Sequence, residues 1–323
     1  MKKVLIVADR PGWAIDKLTK PISEIYLDEV DLCYLNTKRD RFLMTGYSEF
    51  NNNLQFSPEL MDKYEVVHFH HYKAAIKYPL SNKYRKVISC CTEVGIADLD
   101  WKPFDAVIAP TKYCYEIIRK QNPNTYWIPW GINQKKYQYY FGEPQKTVGF
   151  VGRIIEHKRY HEIQKAAFEA KIRFVGTGYI EQREYFQKNK GIEIIKDYEW
   201  VNLLPEVQMP GFYNRLGIFV CLSRSHFETG PLPVLEAMAC GVPVISTPVG
   251  WAKDWATHNE DIIFINEEDV WKLSDFIKQL WDNGRMRRKL RDNAMKLVSG
   301  FTIEKYAENF KRIYEGKSSS FKA

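Results

Sequence analysis

Two glutamates separated by seven residues, Glu228 and Glu236 in SRSHFETGPLPVLEAMACGVPVISTPVG, carry the strongest chemical signal in the chain. LPVLEAMA has helical spacing, and proline is tolerated in a first turn, so a helix is expected to start near Pro231. Glu236 then lies one turn inside that helix and Glu228 in the loop facing its N-terminus. A helix start offers N–H groups and the positive end of a dipole, which suit a diphosphate. A carboxylate one turn inward can accept hydrogen bonds from a ribose diol. Gly241 and Pro243 turn the chain into a buried strand behind it.

Other residues offer further chemistry. His68, His70 and His71 close the run EVVHFHH, with His70 and His71 best placed at a strand end. They read equally as site groups or as histidines satisfied by backbone partners. Gly12, in ADRPGWAIDKL, sits in the first strand-to-helix loop, where backbone can approach a substrate closely. Asp98-Leu99-Asp100 fits a D-x-D metal pattern, but three-residue patterns arise by chance and no metal site is expected. The six cysteines, Cys33, Cys90, Cys91, Cys114, Cys221 and Cys240, lie in apolar segments without a C-x-x-C spacing. Buried thiols in a reducing, cytoplasmic setting fit them better than disulfides or a metal cluster.

The elements that must position these groups are legible as alternating short apolar runs and helical patterns. KVLIVAD, EVDLCYL, EVVHFHH, KVISCC, FDAVIAP and TYWIPWG come first, then TVGFVG, KIRFVGTG, GIEIIKD, GIFVCLS, VPVISTP and DIIFIN. Such runs separated by helices indicate parallel sheets covered on both faces, hence the α/β class. At 323 residues the chain has room for two such domains and a cleft between them. The polar, tyrosine-rich INQKKYQYYFGEPQKT interrupts the pattern, which puts the boundary near Gly142 to Lys146 and gives domains 1–143 and 144–303, with 304–323 as a terminal helix and frayed tail.

Composition bounds the remaining choices. Hydrophobic residues at 45% support packed cores, and no stretch approaches the ~20 apolar residues that span a bilayer, so the protein is expected to be soluble. The charged start MKKVLIVADR has too short an apolar run for a signal peptide and reads as a first buried strand. The net charge of +7 suits a polyanionic partner, whether a phosphorylated small molecule, an anionic lipid surface or nucleic acid, and equally an ordinary basic protein. RMRRKLRD, in the tail, reads as the solvated face of an amphipathic helix rather than a nucleic-acid patch. KYPLSNKYRK reads as surface helix and loop, with a lipid surface, a glycan or a nucleic-acid base as alternative partners.

The Glu228–Glu236 segment resembles the E-x7-E signature of glycosyltransferase family 4, a group of retaining enzymes with the GT-B fold. Further motifs line up in order. TVGFVGRIIEHK looks like the opening strand and loop of the family's C-domain, and RFVGTGY like the next strand with its glycine turn at Gly176 and Gly178. FDAVIAPTKYCYEII followed by IPWGIN looks like the end of the N-domain. EVVHFHH is similar to the strand that ends at the cleft, and FTIEKYAENFKRIYE to the terminal helix that crosses back to the N-domain. The resemblance implies two Rossmann-like domains facing across a cleft.

It further implies a nucleotide-diphosphate-sugar donor of UDP or GDP type, with no obligatory cofactor and no metal. Glu236 would hold the donor ribose, Glu228 the transferred sugar, and Arg153 with Lys158 the leaving diphosphate. Gly152, Gly178, Val201, Gly230 and Leu232 complete the implied donor site, with a base stacking near Trp200 to Asn202. Retaining transfer to an acceptor hydroxyl on a glycan, a lipid or a nucleic-acid base is the implied function, and peripheral membrane contact is compatible with it. A sugar-nucleotide epimerase and a non-catalytic sugar-nucleotide-binding protein are the alternatives. Two departures stand out. The family's G-F-G after the first Glu is Thr229-Gly230-Pro231 here, and Pro231 lacks an N–H. The family histidine after the strand equivalent to KVISCC is replaced by Cys91, Thr92 and Glu93, which leaves His70 and Glu93 as candidates for a catalytic role.

Overall fold

A computed structural model describes residues 3–8, 16–35, 56–76, 80–140, 142–180, 182–188 and 198–321. The chain divides into two compact units, Met1–Gly131 with Phe301–Ala323, and Ile132–Gly300. The division precedes the tyrosine-rich segment, where the sequence suggested a boundary after it. The reason is local: the segment is tied into the second unit, with Gln134 Nε2 donating to the Val298 carbonyl at 2.6 Å and the Tyr140 N–H donating to Asn214 Oδ1 at 2.6 Å.

The first unit is built on β1 (Val4–Ala8), β2 (Val30–Tyr34), β3 (Val66–Phe69), β4 (Arg85–Ser89), β5 (Ala106–Ala109) and β6 (Thr125–Trp127). They form one sheet in the order β2-β1-β3-β4-β5-β6, with parallel pairing. The second unit carries β7 (Thr147–Ile154), β8 (Arg173–Ile180), β9 (Tyr198–Asn202), β10 (Ile218–Cys221), β11 (Val244–Ser246) and β12 (Ile263–Phe264). Its order is β12-β11-β10-β7-β8-β9, again with parallel pairing. All of β1 and β10 is buried, as a strand covered on both faces requires. The run GIEIIKD lies outside the described residues, and β9 begins just after it. No described helix is long and apolar enough to cross a membrane.

The terminal helix, Ile303–Tyr314, belongs to the first unit. Thr302 caps its start, its hydroxyl accepting from the Lys305 N–H at 3.1 Å. Ile303, Tyr306, Ala307, Phe310, Ile313 and Tyr314 form its buried stripe at helical spacing. Arg85 closes the other end by donating to the carbonyls of Ile313 at 2.6 Å and Tyr314 at 3.1 Å, where the helix dipole is negative. Within KYPLSNKYRK, residues 77–79 lie outside the described part. Arg85 is thus used internally, and Lys83 pairs with Asp62 at 2.7 Å.

Two buried histidines sit beneath this helix. His68 Nδ1 lies 2.8 Å from the Tyr314 hydroxyl and Nε2 2.8 Å from the Ser89 hydroxyl. His70 faces Cys91 Sγ at 3.7 Å and the Tyr306 hydroxyl at 3.4 Å, and stacks on Phe310. Burial pushes His70 down to about 3 and His68 well below the ordinary imidazole value, so both are neutral near pH 7.

Their effect on stability has a definite sign. Unfolded histidine takes up a proton below about 6.5, while folded His70 stays neutral down to about 3. The unfolded chain therefore binds more protons in that window, and stability falls as pH falls through it. We expect His70→Leu to remove about 1.4 kcal/mol per pH unit from the slope of unfolding free energy between pH 6.5 and 3. Urea unfolding across that range checks it; an unchanged slope refutes the neutral-histidine assignment.

Candidate functional site

In the second unit the strand order reverses between β7 and β10: the chain runs outward from β7 through β8 to β9, then from β10 through β11 to β12 on the other side. The connections leaving the carboxyl ends of β7 and β10 diverge, and a crevice opens there. Lys158 ends the short 3₁₀ turn Glu156–Lys158 after β7, and Glu228 lies in the loop after β10. They meet with Lys158 Nζ 2.5 Å from Glu228 Oε1. A small cavity at this place is lined by Lys158, Ser223, Pro231 and Pro233 among others.

The pair is held by a local network. The Ser223 hydroxyl donates to Glu228 Oε1 at 3.2 Å, and the Thr247 hydroxyl fixes Ser223 by donating to its carbonyl at 2.5 Å. The Arg224 N–H donates to the His157 carbonyl at 2.9 Å, tying the two loops together. The His157 ring stacks on Phe227 at 4.8 Å and 19°, with Nε2 3.8 Å from Glu228 Oε1. Burial works to raise the Glu228 carboxyl, but the Lys158 charge and hydrogen bond, then His157 and Ser223, hold it below its ordinary 4.5. Glu228 is accordingly an anion at neutral pH.

Glycines allow the backbone beside the crevice to pack closely. Gly152 and Gly178 stand opposite each other at the ends of β7 and β8, with φ of 146° and 149°. A Cβ on Gly178 would lie 1.7 Å from the Gly152 carbonyl oxygen, so no side chain fits. Gly250, with φ of 50°, opens the helix Gly250–Trp255 and seats it against the Glu228 loop. A Cβ there would meet the Gly230 nitrogen at 2.6 Å and the Glu228 carbonyl at 2.8 Å.

The helix after Glu228 spans Leu232–Ala239, with Pro231 as its N-cap residue. Pro231 and Pro233 together remove two N–H groups from its start, and the Val234 N–H is taken by the Pro231 carbonyl at 2.8 Å. Fixed cations must therefore carry more of any anion binding than helix N–H groups do. Glu236 is 1% exposed on this helix, and its Oε2 accepts from the Tyr213 hydroxyl at 2.7 Å. Burial raises the Tyr213 phenol, and the Glu236 charge adds to the effect, so Tyr213 stays a hydrogen-bond donor.

The structure thus joins Lys158 and Glu228 directly, with Gly152 and Gly178 at the adjoining strand ends and Gly230 and Leu232 in the following loop and helix start. Arg153 is half-buried on β7, opposite Tyr179 in register. Val201 lies on β9, opposite Thr177. Gly12 lies outside the described residues. In the first unit, His70 is packed under the terminal helix, and Glu93 is buried with Oε1 accepting from the Thr111 hydroxyl at 3.0 Å. That hydroxyl caps the helix Lys112–Ile118, giving Glu93 a structural role there. Asp98 and Asp100 are exposed, with Asp100 Oδ1 accepting from the Lys102 N–H. Ser223, Tyr213 and Gly250 went unread, since nothing in their spacing distinguishes them from ordinary loop and helix residues.

Comparison with known proteins gives a consistent answer. The family described as "Glycosyl transferases group 1" matches residues 132–297. The chain is 26% identical over 183 residues to the 2-deoxystreptamine N-acetyl-D-glucosaminyltransferase of Niallia circulans, covering 54% of this chain and 46% of that one. It is 25% identical over 164 residues to the capsular polysaccharide glycosyltransferase CapM of Staphylococcus aureus, covering 47% and 41%. The chain thus spans less than half the length of these curated relatives. Among solved structures, Anabaena HepE in complex with UDP-glucose superposes with a TM-score of 0.78 at 12% identity, covering 97% of this chain and 99% of that one. Sucrose-phosphate synthase from Thermosynechococcus elongatus gives 0.76 at 15% identity, covering 98% and 99%. The fold is GT-B.

The glycine contact yields a direct test. Gly178→Ala adds a Cβ against the Gly152 carbonyl at a φ that L residues rarely adopt. It should destabilise the second unit by about 2–4 kcal/mol, read as a lower urea midpoint. An unchanged midpoint would show that the strand ends can separate freely.

Proposed function

The chain belongs to the group 1 glycosyl transferases, and on that premise we propose that it transfers a sugar from a nucleotide-diphosphate sugar to an acceptor hydroxyl, with retention of anomeric configuration. The observation that carries the proposal is the Lys158–Glu228 pair at the carboxyl ends of β7 and β10. A half-buried cation beside a half-buried carboxylate, at the place where a parallel sheet opens, is suited to an anionic ligand that can compete for it. The solved neighbour HepE is described in complex with UDP-glucose, and a UDP-sugar is accordingly the donor class we favour.

In this reading the donor diphosphate takes over the Lys158 ammonium, and Glu228, released from it, accepts hydrogen bonds from hydroxyls of the transferred sugar. Arg153 adds a second fixed cation from β7. Glu236, aligned by Tyr213, accepts from the ribose diol. As the bond from the anomeric carbon to the diphosphate oxygen breaks, charge grows on that oxygen. Lys158 and Arg153 meet the charge without a metal ion or other cofactor. The acceptor oxygen bonds to the anomeric carbon on the face the diphosphate leaves, and its proton passes to a departing phosphate oxygen. The missing helix N–H groups at Pro231 and Pro233 make the two cations the main source of leaving-group stabilisation. All six cysteines are free thiols, which suits a reducing compartment, and we place the activity in the cytoplasm.

Incubation with a panel of UDP- and GDP-sugars and acceptors tests this reading. Lys158→Ala is expected to reduce transfer about 10²–10³-fold, the scale of losing one preorganised charge at a developing anion. Glu236→Ala is expected to raise the donor KM. Near-normal turnover in both variants overturns the site assignment. Donor conversion without acceptor would instead identify an epimerase, and binding without turnover a sugar-nucleotide-binding protein.

A further inference from the structure

The second unit has another cavity, of about 160 Å³, at the end of the sheet opposite Lys158 and Glu228. Its walls include Gly217 just before β10 and Pro243 just before β11, so it lies at the amino ends of the strands. One side is the helix Gly284–Val298, which presents Gly284, Arg287, Arg288 and Arg291 to it. These positions are spaced i, i+3, i+4 and i+7 and so occupy one helix face. The face comes from the segment RMRRKLRD, where Arg285, Arg288 and Lys289 are exposed, as a solvated face requires, while Arg287 and Arg291 are half-buried.

The arginines are arranged rather than dispersed. Arg287 donates to the Leu280 carbonyl at 3.1 Å and lies over the Trp281 ring at 4.5 Å. Arg291 donates to the Tyr139 hydroxyl at 3.2 Å and packs on that ring. Arg288 is exposed. A Cβ on Gly284 would lie 3.5 Å from Arg288 Nη1 and 3.6 Å from Arg287 Nη2, so both guanidinium groups converge on the spot this glycine leaves open. That spot is also the N-terminus of a 15-residue helix. Two like charges and a positive dipole end are thus gathered in one place. Burial and Arg288 both disfavour the charge on Arg287, with Asp282 and Glu143 opposing them. Glu143 also lines the cavity and Arg291 pairs with Asp292 at 2.8 Å, but among the described residues no carboxylate makes an ion pair with Arg287 or Arg288.

We propose that this cavity is a second anion site, built for a phosphoryl group. The fork of each guanidinium suits paired phosphate oxygens; at the helix start the Met286 N–H is taken by Asn283 Oδ1 and the Arg287 N–H by the Asn283 carbonyl, so the guanidinium groups are the donors that count. A free phosphate compound and a phospholipid headgroup share this chemistry. Occupancy would link a phosphorylated ligand to the unit that carries the Lys158–Glu228 pair, without sharing its residues.

Calorimetric titration of pyrophosphate tests the proposal. The intact chain carrying Lys158→Ala, which removes the main cation of the other crevice, is compared with the same chain carrying Arg287→Gln and Arg288→Gln in addition. Pyrophosphate affinity should fall about tenfold or more on adding the two substitutions, and binding to the Lys158→Ala chain should weaken with added potassium chloride. Arg288→Gln alone, at an exposed position that leaves folding intact, should give an intermediate loss. Sedimentation with vesicles of equal parts phosphatidylglycerol and phosphatidylcholine separates the sources. Arginine-dependent sedimentation identifies a headgroup, and pyrophosphate binding without sedimentation a free anion. Equal pyrophosphate affinity in the three chains, with no arginine-dependent sedimentation, overturns the proposal. Because binding is the readout, a failure of the transferase reading, seen as no UDP-sugar turnover, is distinguishable from a failure here.

Discussion

The reversal of strand order between β7 and β10 is the constraint from which the second unit's chemistry follows. Right-handed crossovers leaving adjacent parallel strands in opposite directions cannot both cover the gap between those strands. Polar groups brought there by the two loops therefore meet in a recess that protein walls but does not fill. Lys158 arrives after β7 and Glu228 after β10, and at 2.5 Å they neutralise each other. Burying either alone would be costly, since removing one partner from such a pair leaves an uncompensated charge. The pair is thus compatible with folding, and in the proposed reaction a donor diphosphate would compete with Glu228 for Lys158.

Backbone shape matters to this site as much as charge does. Gly152 and Gly178 let β7 and β8 close to a distance that excludes even a methyl group, and Gly250 does the same between the Glu228 loop and the following helix. Two prolines meanwhile remove N–H groups from the helix start at Leu232. The glycines bring the backbone close while the prolines reduce what it can donate, so in the proposed reading the work of binding the donor diphosphate falls on side chains. Lys158 is one such cation, and its short tether in a 3₁₀ turn limits where it can move.

The sequence showed the fold class and the two-sheet plan because parallel strands buried on both faces must be written as continuous apolar runs. It singled out Glu228 and Lys158, which the fold brings into contact, because their motifs are local. It did not show the domain boundary, since Gln134, Tyr139 and Tyr140 are polar or aromatic residues whose attachment to the second unit depends on partners far along the chain. Tyr213 was hidden for the same reason: an aromatic in MPGFYN carries no mark of the carboxylate it will meet 23 residues later. His70 illustrates the converse. A histidine at a strand end reads equally as a site group or as one satisfied by its neighbours, and only the terminal helix, more than 230 residues on, decides between them by covering it.

That covering has a chemical consequence for the first unit. His68 and His70 are fully buried among Phe310, Tyr306 and Tyr314, and burial keeps them uncharged. An imidazole held to a pKa of about 3 is a poor proton acceptor at neutral pH, whatever its position in the strand. His68 instead joins the sheet to the terminal helix through hydroxyl partners on both, Ser89 on one side and Tyr314 on the other, and His70 meets the helix at the Tyr306 hydroxyl. If the reaction needs a base, burial argues against these two rings. In the proposed reaction a departing phosphate oxygen, which gains basicity as the glycosidic bond lengthens, would supply that function without any side chain from this unit.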